Sequence, residues 1–196
     1  MIRLKWILVD WIKGKSLKIK DHLLTNARFI QSPNQDDRSD TDLILIVIHG
    51  ISLPPGDFDS DDIILLFTNQ LDCSREAYSD LLDVKVSSHI LIRRDGEIIQ
   101  FVPFNRRAWH AGESSFNGMT GCNDFSIGIE LEGTDDTPYS KEQYLVLNSV
   151  IDVIHSEYGN LSLRGHSDIS PGRKTDPGRC FDWSKVVLAD SKRSLH

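Results

Sequence analysis

The six residues Leu43 to Ile48, LILIVI, are apolar at every position and largely β-branched. A strand with one solvated face alternates polar and apolar residues, and this run does not alternate. It is therefore expected to be a central strand covered on both faces, as in an α/β sheet. The run ends at His49-Gly50, so His49 is expected at a strand end, where side chains reach a cleft mouth. The preceding residues 31–42, QSPNQDDRSDTD, read as a polar surface loop, residues 53–62, LPPGDFDSDD, as a second loop, and Ile63 to Asn69 as a short helix.

Other segments add antiparallel strands and a helix around that strand. Ser87–Arg93 and Glu97–Val102 flank Arg94-Asp95-Gly96, and an Asp-Gly pair between such segments predicts a hairpin. Phe125 to Leu131 reads as a further strand with Glu130 near its end. Ser140 and Gln143 form an S-x-x-Q capping box, Leu147, Val150, Ile151, Ile154 and Tyr158 recur at helical spacing, and Gly159 supplies a stop. Strands mixed with a long amphipathic helix predict an α/β domain whose sheet is partly antiparallel. At 196 residues the chain is expected to form a single domain over 1–196.

Charge narrows the partners. Twenty-two Lys and Arg against 29 Asp and Glu give a net charge of -7, which offers no general field for phosphate backbones, so no nucleic-acid partner is expected. Lys5, Lys13, Lys15, Lys18 and Lys20 are interleaved with Trp6, Ile7, Leu8, Val9, Trp11 and Ile12. An edge strand or helix packed on the domain is favoured there over a membrane-surface helix, because the stretch is short and Asp10 interrupts it. Neither a signal-peptide pattern nor a run of about 18 apolar residues is present. Cys73, Cys122 and Cys180 are odd in number and widely spaced, as reduced thiols are. A cytoplasmic protein without a membrane partner is the expectation, and the oligomeric state is left open.

Chemistry concentrates in Gly165 to Gly178, GHSDISPGRKTDPG, where a Pro- and Gly-rich loop carries His166, Asp168, Arg173, Lys174 and Asp176. Catalytic zinc takes three protein ligands from His nitrogen and carboxylate oxygen and leaves a fourth position to water. His49, His166 and Asp176 are candidates for those three, with Asp168 competing for the carboxylate place and His110 as the reserve ligand. His89 reads as a satisfied core or edge histidine, and His22, His155 and His196 as solvated. By themselves Glu130 reads as a salt-bridge partner and Lys174 as a surface charge. No H-E-x-x-H, G-x-S-x-G, GxGxxG or Walker pattern occurs.

Taken together, IVIHGISLPPGDF, SSHILIRRDGEIIQFVPFNRRAWHAG, CNDFSIGIELEG and GHSDISPGRKTDPG resemble, in this order, the AmpD type of N-acetylmuramyl-L-alanine amidase over about residues 43–185. The resemblance implies a mixed central β-sheet flanked by helices with zinc in a surface cleft, and leaves residues 1–42 as an extension. It implies hydrolysis of the amide between 1,6-anhydro-N-acetylmuramyl and L-alanine in muropeptides, in peptidoglycan recycling. It also implies that His49, His166 and Asp176 hold Zn2+, that Glu130 is the catalytic acid/base and that Lys174 polarises the carbonyl. Glu132, assigned to the opposite strand face, is the weaker candidate. Gly50 stands where similar enzymes carry Asn, which predicts a missing side-chain contact to substrate. Substrate carboxylates call for local basic groups, so Arg173 is expected to make a bidentate contact, and Trp109 is expected either to stack on a sugar or, equally, to pack in the core. Two rivals are a non-catalytic peptidoglycan-binding module and a secreted or phage lytic amidase; a third, a structural zinc, would need His110 as fourth ligand.

Overall fold

The computed structural model describes residues 17–38, 42–58 and 60–187. The expectation for Lys5 to Lys15 and its apolar partners, and for His196, lies outside them. In chain order the strands are β1 (Ile19–Lys20), β2 (Leu23–Leu24), β3 (Arg28–Phe29), β4 (Gln35–Asp37) and β5 (Leu45–Ile51), followed by helix α1 (Asp62–Phe67). Then come β6 (Ile90–Ile92), β7 (Ile98–Gln100), β8 (Arg106–Ala108), β9 (Ser115–Phe116), β10 (Met119–Thr120) and β11 (Ser126–Glu132). Helix α2 (Lys141–Tyr158), β12 (Ser162–Gly165) and the single turn α3 (His166–Ile169) close the fold.

Six strands form one mixed sheet in the order β12-β5-β11-β6-β7-β3. β5 lies between β12 and β11, parallel to both, and β6 and β7 are the expected antiparallel hairpin, turned at Gly96 with φ +92°. Leu45, Ile46, Val47 and Ile48 are fully buried, as a strand without a polar face requires. Alternation divides them: Ile46 and Ile48, with Ile127, Ile129 and Leu131 of β11, pack on Leu147, Val150, Ile151 and Ile154 of α2. Leu45 and Val47 face the other way, toward Ala111, Phe116, Cys122, Phe125 and Ile169.

Helix α2 begins and ends where its caps predict. Ser140 accepts from Gln143 N, the Gln143 side chain returns to Ser140 N, and Gly159 follows the last residue with φ +86°. Residues 31–42 depart from expectation. Ser32 and Asn34 are buried, and β4 pairs antiparallel with β8. A polar segment can be buried when its groups find partners: Ser32 Oγ donates to Phe67 O (2.5 Å), and Asn34 Nδ2 donates to Asn69 Oδ1 (2.9 Å) and Val86 O (2.8 Å). Since β3 joins the main sheet beside β7, part of the stretch before residue 43 is built into the fold.

Candidate metal centre and active site

Parallel register brings the first two site residues together. His49 on β5 lies opposite Glu130 on β11, so both side chains leave the sheet on one face, with His49 Nδ1 3.9 Å from Glu130 Oε1. The loop after β12 supplies the rest. His166 opens α3, and Asp176 is held against that helix by the Ser167 N–H bond to Asp176 O (2.9 Å). His49 Nδ1 is 3.0 Å from His166 Nδ1, and Asp176 Oδ2 is 3.2 Å and 3.1 Å from those two nitrogens.

The donor set fits a cation. Burial lowers the pKa of His49 to about 4, so its ring is neutral at pH 7. Burial opposes ionisation of Asp176, but the His166 and His49 rings outweigh it and hold the carboxyl below its usual range. In its neutral form His166 donates Nε2–H to Ala111 O (3.1 Å), which leaves Nδ1 without a proton. Two imidazole lone pairs and a carboxylate oxygen then converge within about 3 Å, an arrangement that repels itself until a positive ion joins it. Neutral imidazole and carboxylate are ordinary zinc donors. Among the described residues this trio is the cluster able to hold a metal.

The competing ligands are used elsewhere. Asp168 Oδ2 accepts from Gly165 N (2.7 Å) and caps the turn. His110 Nδ1 meets Nε2 of His49 (2.9 Å), on the far side of that ring from Asp176, so His110 does not complete the cluster. His89 is the satisfied core histidine expected: Nδ1 accepts from Gly128 N (3.0 Å) and Nε2 faces Arg106 O (3.1 Å). His22 and His155 are not simply solvated. His22 Nδ1 lies 2.9 Å from Tyr158 Oη, and His155 Nε2 donates to Leu161 O (3.0 Å).

Glu130 is 7% exposed, and its Oε2 has no hydrogen-bond partner. Burial, then the Asp176 charge, pushes its pKa well above the usual value, while Lys174 pulls it down. Such a carboxyl is poised for proton transfer. Glu132 does not lie on the opposite face, because residues two apart on a strand share a face. It differs in its partners: Arg93 Nε at 3.1 Å and Arg94 N at 2.9 Å tie it to the hairpin. Lys174 is exposed, and its charge disfavours the protonated forms of both His49 and Glu130.

Arg173 is tied to the chain, and Trp109 is half-buried. Arg173 Nη2 donates to Ala111 O (2.7 Å), Glu113 O (2.7 Å) and Ser170 Oγ (2.8 Å), and Nε to Glu113 O (3.2 Å). Through Nε and Nη2 this side chain braces the carbonyl that orients His166. Between loops 112–115 and 169–173, beside Arg173, lies a cavity of about 570 Å³.

Sequence reasoning missed Tyr139, Ser126 and Asn123. Tyr139 Oη donates to Pro177 O (2.8 Å), next to Asp176. Asn123 Oδ1 accepts from His110 N (3.1 Å) and Ala111 N (2.8 Å). Each acts on a partner a dozen or more residues away, so no local pattern announces it.

Residues 40–179 match the N-acetylmuramoyl-L-alanine amidase family. The chain is 47% identical over 175 residues to the 1,6-anhydro-N-acetylmuramyl-L-alanine amidase AmpD of Escherichia coli K12, covering 87% of this chain and 96% of that one. It is 49% identical over 166 residues to AmpD of Enterobacter cloacae, covering 83% and 89%. The crystal structure of a selenomethionine AmpD derivative superposes with a TM-score of 0.84 at 46% identity, over 86% of this chain and 96% of that one.

Proposed function

The chain belongs to the N-acetylmuramoyl-L-alanine amidase family, and we propose that the cleft at the ends of β5 and β11 is its active site, with zinc held by His49, His166 and Asp176. The protein is an amidase that cuts the bond between the 1,6-anhydro-N-acetylmuramyl group and L-alanine in muropeptides, a step of peptidoglycan recycling. The observation that carries the site assignment is the convergence of His49 Nδ1, His166 Nδ1 and Asp176 Oδ2 beside the buried carboxyl of Glu130.

Zinc, when bound, supplies Lewis acidity that brings the pKa of a coordinated water to about 7 and polarises a carbonyl. Glu130 takes a proton from the attacking water and delivers it to the departing L-alanine nitrogen. The opposed pulls of burial and Lys174 on this carboxyl suit it to both steps. Lys174, exposed at the cleft, offers its ammonium to the charge that develops on the carbonyl oxygen. Arg173 keeps the Ala111 carbonyl in place behind His166. A complete ligand trio with an adjacent acid/base favours the enzyme over a binding module. We take residues 1–196 as one amidase domain, and the three free cysteines favour a reducing cytoplasm.

The test is incubation of the purified protein with 1,6-anhydro-N-acetylmuramyl tripeptide, with and without a zinc chelator, followed by mass spectrometry for free tripeptide. Chelator-sensitive release is expected. Release that a chelator leaves untouched removes the zinc assignment, and no release from zinc-loaded protein removes this substrate.

A further inference from the structure

Behind His49, away from the cleft, three hydrogen bonds run in series. Ser126 Oγ lies 2.5 Å from Cys122 O and 3.2 Å from His110 Nε2, and His110 Nδ1 lies 2.9 Å from His49 Nε2. The direction of every bond follows from the first. A carbonyl oxygen only accepts, so Ser126 gives its one hydroxyl proton to Cys122. Ser126 Oγ must then receive a proton from His110, which places the proton of neutral His110 on Nε2 and leaves Nδ1 bare. Bare Nδ1 accepts only if His49 carries its proton on Nε2. The lone pair of His49 is thereby put on Nδ1, the nitrogen that faces Asp176 and His166.

The chain is built into the fold. Ser126, His110 and His49 are buried, as is Cys122. An ideal Cβ on Gly128 would fall 2.5 Å from His110 Cγ, so glycine at this strand position makes room for the ring. Asn123 fixes the backbone of His110 and Ala111 from the other side.

We propose that His110 and Ser126 are positioning residues for the metal centre: the series starting at the Cys122 carbonyl sets the His49 tautomer, so that its ligand nitrogen is free before any metal arrives. The proposal rests on the zinc reading above. In the other tautomer a proton on Nδ1 would point into the centre and would have to be displaced, and apparent affinity falls with the fraction of protein that is competent to bind. Partners that orient a metal-binding imidazole typically contribute about 10- to 100-fold in affinity.

Two readouts test it on the full chain. Nitrogen-15 spectra of the histidine rings in metal-free protein report the tautomers directly, and competition with a chromophoric chelator gives zinc affinity for wild type, His110→Leu, His110→Asn and Ser126→Ala. Expected are Nε2–H on both His49 and His110 in wild type, and zinc binding about 10- to 100-fold weaker in His110→Leu. His110→Asn, whose Oδ1 can stand where Nδ1 stood, should recover most of that loss. Ser126→Ala should show a smaller loss and a His49 proton shared between its nitrogens. Should His110→Leu fail to fold, as circular dichroism would report, the Ser126→Ala spectrum decides. Wild-type His49 with Nδ1–H, or equal zinc affinity in all folded variants, overturns the proposal alone; a wild type that takes up no zinc overturns it together with the metal reading.

Discussion

The hydroxyl of Tyr139 fills the space that any side chain at position 50 would need: an ideal Cβ on Gly50 falls 2.2 Å from Tyr139 Oη. The ring also covers Gly133, whose Cβ would lie 2.3 Å from it. Held between these glycines, Tyr139 reaches Pro177 O beside the proposed ligand Asp176. Gly50 thus makes room for Tyr139 on the face away from His49.

It follows that Gly50→Asn overpacks this slot and lowers stability by about 1–3 kcal/mol. Urea unfolding of the metal-free protein measures the loss. Adding Tyr139→Ala should return part of it, because the clash is gone; independent, additive losses would show that the two positions are not coupled.

Glu130 and Asp176 should separate chemistry from metal binding. Glu130→Gln is expected to retain zinc and to lose turnover by roughly 10²- to 10⁴-fold, the usual range for a general acid/base. Asp176→Ala is expected to lose the metal. Elemental analysis beside a muropeptide assay checks both, and equal zinc with equal activity in the two variants would refute the assignment.

Neighbouring cations should behave differently. Lys174→Ala is expected to lower kcat about 10²- to 10³-fold at unchanged zinc content, as for a lost oxyanion donor. Arg173→Ala breaks ties to Ala111 O and Glu113 O and should lower the thermal midpoint and loosen zinc together. Calorimetry and metal competition distinguish the pair.

His89 makes a prediction in pH. Burial, helped by Arg38, lowers its pKa from 6.5 to about 3. The unfolded chain takes up a proton below pH 6.5 that the folded chain refuses, so this contribution is complete above 6.5 and is lost as pH falls toward about 3. His89→Asn, which keeps an acceptor for Gly128 N–H, should reduce the stability difference between pH 7.5 and pH 5 by about 2 kcal/mol, at about 1.4 kcal/mol per pH unit. Urea unfolding of metal-free protein at both pH values measures it; identical pH dependence in the two proteins would contradict a neutral buried His89.

The sequence by itself determined the elements whose causes are local. The unbroken apolar run required a strand covered on both faces, Asp95-Gly96 required a tight turn, and Ser140 with Gln143 required a helix start; each acts over a few residues and survives into the fold. Four ordered motifs carried the family and, through it, the proposed ligand trio. Spacing alone left Asp168 and His110 in contention. Tertiary structure decided the rest, because the deciding contacts join residues far apart in the chain. Parallel register of β5 and β11 sets Glu130 beside His49, while the hairpin arginines take Glu132. A sequence shows the charge of Arg173 but not the Ala111 and Glu113 carbonyls that it meets in the fold. Ser32 and Asn34 were read as exposed for the same reason: burial of a polar group depends on its partners, and those are fixed only when the chain has packed.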